Sequence, residues 1–154
     1  MIQMLCAPGV PGLLVGLAIF LFLWLRASLS VKGETFLFEP RGPGSFEPLL
    51  QRYTLLAQFI IGLATGSIVL LAGSSVFKSG GRLPWQYASP LVLLSLSVIY
   101  GVCFMGLLLY NYESFLHNQI YTRVAYTRNT ALGFSSLFCF AIGYLWLAFR
   151  LADH

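Results

Sequence analysis

The third of four apolar stretches in this chain reads ASPLVLLSLSVIYGVCFMGLLLY from Ala88 to Tyr110 and contains no charged side chain. Comparable stretches run over Gly9–Leu25, Tyr53–Phe77 and Thr130–Leu151, and none of the four contains a carboxylate. About 20 apolar residues are enough to cross the hydrocarbon core of a bilayer as a helix. Because backbone groups inside lipid must find hydrogen-bond partners within the chain, each stretch is predicted to be a transmembrane helix.

The composition agrees with a chain that lies mostly in lipid. Hydrophobic residues make up 58% of the 154 residues, and charged residues only 9%. A soluble domain of this length could not cover so much apolar surface, and four spans leave no room for a separate soluble core. The predicted fold is therefore all-α and integral to the membrane: one domain over residues 1–154, in which four transmembrane helices form a bundle.

The first span resembles a secretory signal in its short apolar part and in the small residues that follow it. A secretory signal, however, begins with a basic region, and Met1–Val10 contains neither Lys nor Arg. In addition, Arg26 follows the apolar run directly. We therefore expect an uncleaved helix.

The distribution of Lys and Arg predicts the orientation. The first and third connections contain six of the nine cations: Arg26, Lys32, Arg41, Arg52, Arg123 and Arg128. The remaining three, Lys78, Arg82 and Arg150, lie on the other side. Since cytoplasmic connections of membrane proteins are enriched in Lys and Arg, both termini are predicted to lie outside the cytoplasm, in an inner or plasma membrane.

The predicted cytoplasmic connection between the first two helices, Val31–Pro48, is expected to be irregular. It contains three prolines and three glycines, which prevent a long helix. It is also more apolar than an inert linker, and Phe36, Phe38 and Phe46 are its aromatic side chains. Two interpretations follow: the loop packs against its own helix ends, or it is an arm that binds a partner through these phenylalanines.

Small residues recur at a spacing of four in three of the spans, which places them on one face of each helix. Such faces allow membrane helices to approach closely, either within the chain or between subunits. The predicted helix-packing residues are Gly12 and Gly16 in the first span, Gly62 and Gly66 in the second, and Ala131, Ser135, Cys139 and Gly143 in the fourth.

Glu113 and His117 are four residues apart and would share a helix face just beyond the third span. The simpler interpretation is an interfacial ion pair or hydrogen bond between the two side chains. The alternative is that they transfer a proton or bind a metal ion, a pigment or a haem. Zinc is not expected, because it would need three or four ligands and this pair supplies only two. A haem held by two histidines is not expected either, because His117 and His154 are predicted to lie on opposite sides of the membrane. No cofactor is predicted, and the one option left open is a pigment bound by His117 alone.

The tripeptide Tyr-Thr-Arg occurs twice, ending at Arg123 and at Arg128. Arg binds phosphate in a bidentate manner and Tyr favours the membrane interface, so these arginines are predicted either to contact phospholipid headgroups or simply to set the topology. Nucleic acid is not an expected partner, because the cations never form a run.

The sequence contains no recognisable catalytic signature: neither a GxSxG frame, an HExxH motif, a P-loop nor a dinucleotide fingerprint. Small four-helix drug exporters are of similar length, but they use a glutamate within the first helix, which is lacking here. We therefore expect a non-catalytic accessory subunit of a larger membrane complex, such as a respiratory or photosynthetic assembly, with other membrane subunits as partners. The alternatives are an oligomeric channel or transporter lined by Thr65, Ser67, Ser74 and Ser75, and, third, a membrane enzyme.

The predicted orientation can be tested by labelling cysteines introduced into the connections, with Cys6 replaced by Ser. In intact cells, an impermeant thiol reagent should label Gly80→Cys, since this connection is predicted to lie outside, and should not label Ser45→Cys or Asn118→Cys. Labelling of Ser45→Cys with no reaction at Gly80→Cys would reverse the orientation.

Overall fold

The computed structural model describes residues 9–30, 35–36, 47–73, 85–118 and 121–152. Within them, the chain forms four helices and two very short strands. In chain order these are α1 (Val10–Ser30), β1 (Thr35–Phe36), α2 (Glu47–Gly73), α3 (Trp85–Asn118), β2 (Tyr121–Thr122) and α4 (Arg123–Ala152).

Each of the four helices contains a segment that is long and apolar enough to cross a membrane. The segments are Val10–Ser30, Leu50–Leu71, Gln86–Phe115 and Arg123–Ala152. The prediction of a helical chain with four candidate membrane spans is thereby confirmed. Most helix ends extend beyond the predicted spans, as at Ser30, Glu47 and Asn118, because an apolar run marks only the part suited to hydrocarbon and backbone hydrogen bonding continues into the headgroup region. One exception is the end of α2 at Gly73, and the predicted end at Phe77 lies outside the described residues.

The early start of α3 corrects the predicted position of one proline. In a helix that began with the predicted span at Ala88, Pro90 would lie in the first turn, where a missing amide hydrogen is tolerated. The helix α3 begins at Trp85 instead, so Pro90 lies inside it. It has no amide hydrogen to donate to the carbonyl of Gln86, and its ring crowds that carbonyl. Pro90 is fully buried, so neighbouring helices enclose this interruption.

The helices α3 and α4 form the most extensive contact in the fold. Both α1 and α2 pack against this pair, and they make little contact with each other. A buried cluster at one end joins three helices: Ala64 and Leu71 from α2, Tyr87 and Leu94 from α3, and Leu147 from α4. Tyr87, which lies beside the predicted start of the third span, is therefore part of the core.

The small-residue face of α4 lies in the interior. Ala131, Ser135 and Cys139 are completely buried, and Gly143 is buried as well. A Cβ atom at Gly143 would lie 3.1 Å from Cβ of Leu93 on α3. The absence of a side chain at Gly143 therefore sets how closely α4 approaches α3.

The two glycines of α1 allow an equally close approach. A Cβ atom at Gly12 would collide with the backbone carbonyl of Ser89, and one at Gly16 would lie 2.5 Å from Cδ1 of Leu96. The same atom at Gly16 would lie 3.7 Å from Sγ of Cys139 on α4. Thus α1 packs against α3 and α4 through glycine backbone.

Gly62 and Gly66 of α2 have different surroundings. Gly62 is exposed and Gly66 is half-buried, and a Cβ atom at either position would find nothing within 4 Å. Within the described residues, these two glycines therefore serve no close helix contact.

A two-stranded antiparallel ladder connects the first and third connections between the helices. Thr35 pairs with Thr122, and Phe36 pairs with Tyr121. The ladder links the α1–α2 connection, which contains the predicted arm, to the α3–α4 connection. Phe38 and Phe46 of that arm lie outside the described residues.

The buried face of α4 predicts a specific loss of stability. Gly143→Leu should lower the free energy of unfolding by about 1–3 kcal/mol, because the larger side chain overfills the contact with Leu93 and Leu94. Unfolding in detergent, followed by circular dichroism, measures this change.

The matched control is Gly106→Leu, since Gly106 is an exposed helical glycine with nothing within 4 Å of a Cβ atom. Its stability should be close to that of the wild type. Equal stability of the two variants would mean that α4 does not pack against α3 through Gly143.

Candidate functional site

The buried polar side chains of the described residues all belong to α3 and α4. They are Ser89, Ser97, Asn111, Thr127, Asn129, Ser135 and Ser136. A polar group inside a membrane-spanning helix is costly unless it is hydrogen-bonded, and polar groups retained there commonly have a role in function. The contact between α3 and α4 is therefore the candidate site.

Two serines form a reciprocal pair of hydrogen bonds between the central helices. Oγ of Ser97 donates to the carbonyl of Ser136 over 2.7 Å, and Oγ of Ser136 donates to the carbonyl of Ser97 over 2.8 Å. A Cβ atom at Gly101 would lie 3.0 Å from Oγ of Ser136, so the missing side chain leaves room for the pair. Each hydroxyl proton is directed at a backbone oxygen, which makes the pair a structural clamp.

An amide pair joins the same two helices nearer to the loop between them. Nδ2 of Asn111 donates to Oδ1 of Asn129 over 3.2 Å, and both residues are buried. Amide side chains donate and accept hydrogen bonds without a titratable proton. This pair can fix the register of α3 against α4, but it is unsuited to acid–base catalysis.

Two buried polar atoms, Oγ of Ser135 and Nε of Arg128, have no hydrogen-bond partner among the described residues. An unsatisfied buried donor costs about 1–3 kcal/mol. Arg128, which is predicted to contact lipid headgroups, is half-buried, and its Nε–H donor has no partner among the described residues. The headgroup role of this arginine stays a prediction.

The guanidinium of Arg123 donates to the carbonyl of Ser28 in the last turn of α1. The last four carbonyls of a helix lack partners within the helix, and a cation stabilises this negative end. Arg123 is exposed, and its guanidinium has further donors. Arg123 can therefore contact a lipid headgroup with its remaining donors while it stays bonded to α1.

Glu113 and His117 both lie on α3 and are exposed. His117 follows Phe115, the last residue of the candidate span, so it lies at the end of the helix. Among the residues that the structure describes, no group of three or more His, Cys, Asp or Glu side chains could hold a metal ion.

A cleft of about 330 Å³ opens between α2 and α4, with α3 at its base. The residues that line it are Tyr53, Leu56, Ala57 and Ile60 of α2, Phe104 and Leu108 of α3, and Tyr126, Asn129, Thr130, Gly133, Phe134, Ser136 and Leu137 of α4. A Cβ atom at Gly133 would lie 3.1 Å from the Phe104 ring, so this glycine lets the ring lie against α4.

The Ser97–Ser136 and Asn111–Asn129 pairs thus connect α3 to α4, whereas Thr127 bonds within its own helix and Oγ of Ser135 has no partner among the described residues. The cleft is an apolar surface with a few polar groups. Comparison of the chain with known protein families, with characterised proteins and with solved structures finds no match.

Sequence reasoning missed the polar pairs between α3 and α4. The available signal was the presence of Ser97 in the middle of an apolar span and of Ser136 beside the small-residue face. Hydroxyl and amide side chains in membrane helices commonly bond across helices. Asn111 and Asn129 were missed because they flank the predicted spans.

The reciprocal serine pair predicts a measurable coupling of α3 to α4. Ser97→Ala and Ser136→Ala should each lower the free energy of unfolding by about 0.6 kcal/mol, and at most about 1.7 kcal/mol, as for other hydrogen bonds between membrane helices. Each backbone carbonyl keeps its own helical hydrogen bond, which limits the loss. Unfolding by denaturing detergent provides the measurement.

Ser95→Ala is the control on the same helix, because Ser95 is exposed and its Oγ donates to the carbonyl of Leu91 one turn away. Its stability should be nearly unchanged. If Ser95→Ala destabilises the protein as much as Ser97→Ala, the hydrogen bonds between α3 and α4 contribute nothing specific.

Proposed function

We propose that this protein is a non-catalytic accessory subunit of a larger membrane complex, and that it binds a neighbouring transmembrane helix through the outer face of α2. The outer face consists of Leu55, Phe59, Gly62, Gly66 and Val69. The observation that supports the proposal is the exposure of this face together with its spacing.

Successive residues of the outer face are four, three, four and three positions apart. This is the spacing with which one helix presents a continuous seam to another at a crossing angle of about 20°. Leu55 and Phe59 are each 64% exposed and Val69 is 63% exposed. Nothing within the described residues contacts a Cβ atom at Gly62 or Gly66. The face is thus a complete helix-packing seam without a partner among the described residues.

The glycines indicate what kind of partner fits. Glycine in a helix costs about 0.5–1 kcal/mol relative to alanine. At Gly12, Gly16 and Gly143 that cost is offset by close packing within the chain. Since lipid provides no comparable contact, the pair on α2 favours a protein helix whose backbone approaches closely.

The interior supports the non-catalytic part of the proposal. The buried hydroxyls of Ser97 and Ser136 donate to backbone carbonyls, and the amide of Asn111 donates to Asn129. These groups connect helices and leave no reactive proton. The Lys and Arg distribution supports an inner or plasma membrane location with both termini outside.

The predicted arm adds a second contact to the proposal, on the cytoplasmic side. Phe36, Phe38 and Phe46 would supply aromatic anchors there, and such residues provide much of the binding energy of protein interfaces. The pairing of Phe36 with Tyr121 would hold one end of the arm near the helix ends.

The test is co-purification from native membranes in mild detergent. The wild type should elute with a stoichiometric partner, and the double variant Gly62→Leu/Gly66→Leu should elute alone, because two leucines prevent the close approach. The melting temperature of the isolated variant should match that of the wild type, since no described atom lies within 4 Å of a Cβ atom at either glycine. Gly106→Leu, an exposed glycine on α3, should retain the partner.

Three results would contradict the proposal. A double variant that keeps its partner would show that the outer face of α2 is not the interface. A wild type that forms only a homo-oligomer would favour the channel alternative, and a wild type that elutes as a monomer would favour neither.

A further inference from the structure

We propose that the cleft between α2 and α4 binds one acyl chain of an anionic phospholipid, with the headgroup held at the end of the cleft marked by Tyr53 and Tyr126. This site is separate from the proposed subunit contact. The cleft is lined by Tyr53, Ala57 and Ile60, whereas Gly62 and Gly66 lie on the opposite side of α2.

The lining of the cleft favours an apolar occupant. Its volume of about 330 Å³ is enclosed mainly by apolar side chains from three helices, among them Leu56, Ile60 and Leu108. An acyl chain is narrower than a helix and is the material that surrounds helices of this length and hydropathy.

The lining changes from polar to apolar along the cleft, as a phospholipid does from its ester groups to its chains. Tyr53 and Tyr126 lie near the N-terminal ends of α2 and α4. Successive spans alternate in direction, so these two ends belong to the same membrane face. Further along each helix the lining is apolar, through Ile60, Phe134 and Leu137, except for Ser136, whose hydroxyl donates to the carbonyl of Ser97.

The charges at the same membrane face favour an anionic headgroup. In the sequence, this face carries six cations and four carboxylates, a net charge of +2: Arg26, Lys32, Arg41, Arg52, Arg123 and Arg128 against Glu34, Glu39, Glu47 and Glu113. Arg52 is exposed and directly precedes Tyr53, which places a guanidinium beside the polar end of the cleft. A guanidinium binds phosphate through two parallel hydrogen bonds. The guanidinium of Arg52 is therefore suited to bind the phosphodiester of a phospholipid headgroup.

The experiment titrates the detergent-purified protein with phosphatidylglycerol, phosphatidylcholine or inorganic phosphate. Native mass spectrometry counts the bound lipid, and thermal unfolding reports its effect on stability. We expect one phosphatidylglycerol per chain, bound at least tenfold more tightly than phosphatidylcholine. Inorganic phosphate alone should cause no stabilisation, because it has no acyl chain to fill the cleft.

Two matched pairs of variants locate the site. Leu137→Trp fills the cleft and should weaken lipid binding at least tenfold, whereas Leu145→Trp, on α4 outside the lining, should bind as the wild type does. Arg52→Gln should remove the preference for phosphatidylglycerol while still binding lipid. Arg150→Gln, near the C-terminal end of α4 and so at the opposite membrane face, should keep that preference.

Circular dichroism of all four variants establishes that they are folded, and neither arginine variant alters a buried side chain. Equal lipid binding by Leu137→Trp and Leu145→Trp would overturn the cleft as the binding site. Equal affinity of the wild type for the two lipids, stabilisation by phosphate alone, or no bound lipid would overturn the anionic phospholipid as its occupant.

Discussion

The close contact between α3 and α4 is the interaction on which the other packing contacts depend. Both flanking helices rest on this pair, and α1 and α2 have little contact of their own. Helices in lipid gain little from the hydrophobic effect, so their association relies on close packing and interhelical hydrogen bonds. At this contact, Gly143 and Gly101 remove the side chains that would separate the helices, and the Ser97–Ser136 pair bonds one backbone to the other.

The same small-residue pattern has two structural consequences. On α1 and α4 the small residues are covered by neighbouring helices of the same chain, whereas on α2 Gly62 and Gly66 face outward. Helical spacing defines a face but does not say what covers it. The uncovered face of α2 is the physical basis for proposing a protein partner. The cleft on the other side of α2 arises because α2 packs mainly on α3 and only slightly on α4.

The arginines near the span ends can both set the orientation of the protein in the membrane and bond to a neighbouring helix. Positive charge near the span ends sets orientation in the membrane. In the fold, Arg123 also donates to the carbonyl of Ser28 and so joins the start of α4 to the end of α1. The strand pairing of Phe36 with Tyr121 joins the same two regions through backbone. The loops at this end therefore reinforce the arrangement that the central helices establish.

The sequence by itself determined the four candidate spans and their helical nature, because composition and length decide what lipid can accept without reference to any neighbour. It also marked the small residues. Only the tertiary structure decided which small faces are covered, that Pro90 and Tyr87 are buried within α3, and that Ser97 meets Ser136. It also decided the conformation of the repeated tripeptide, since the first Tyr-Thr pairs as a strand and the second lies within α4. These features depend on contacts between residues that are far apart in the chain. Helix packing brings such residues together, and the local periodicity of the sequence does not show which of them meet.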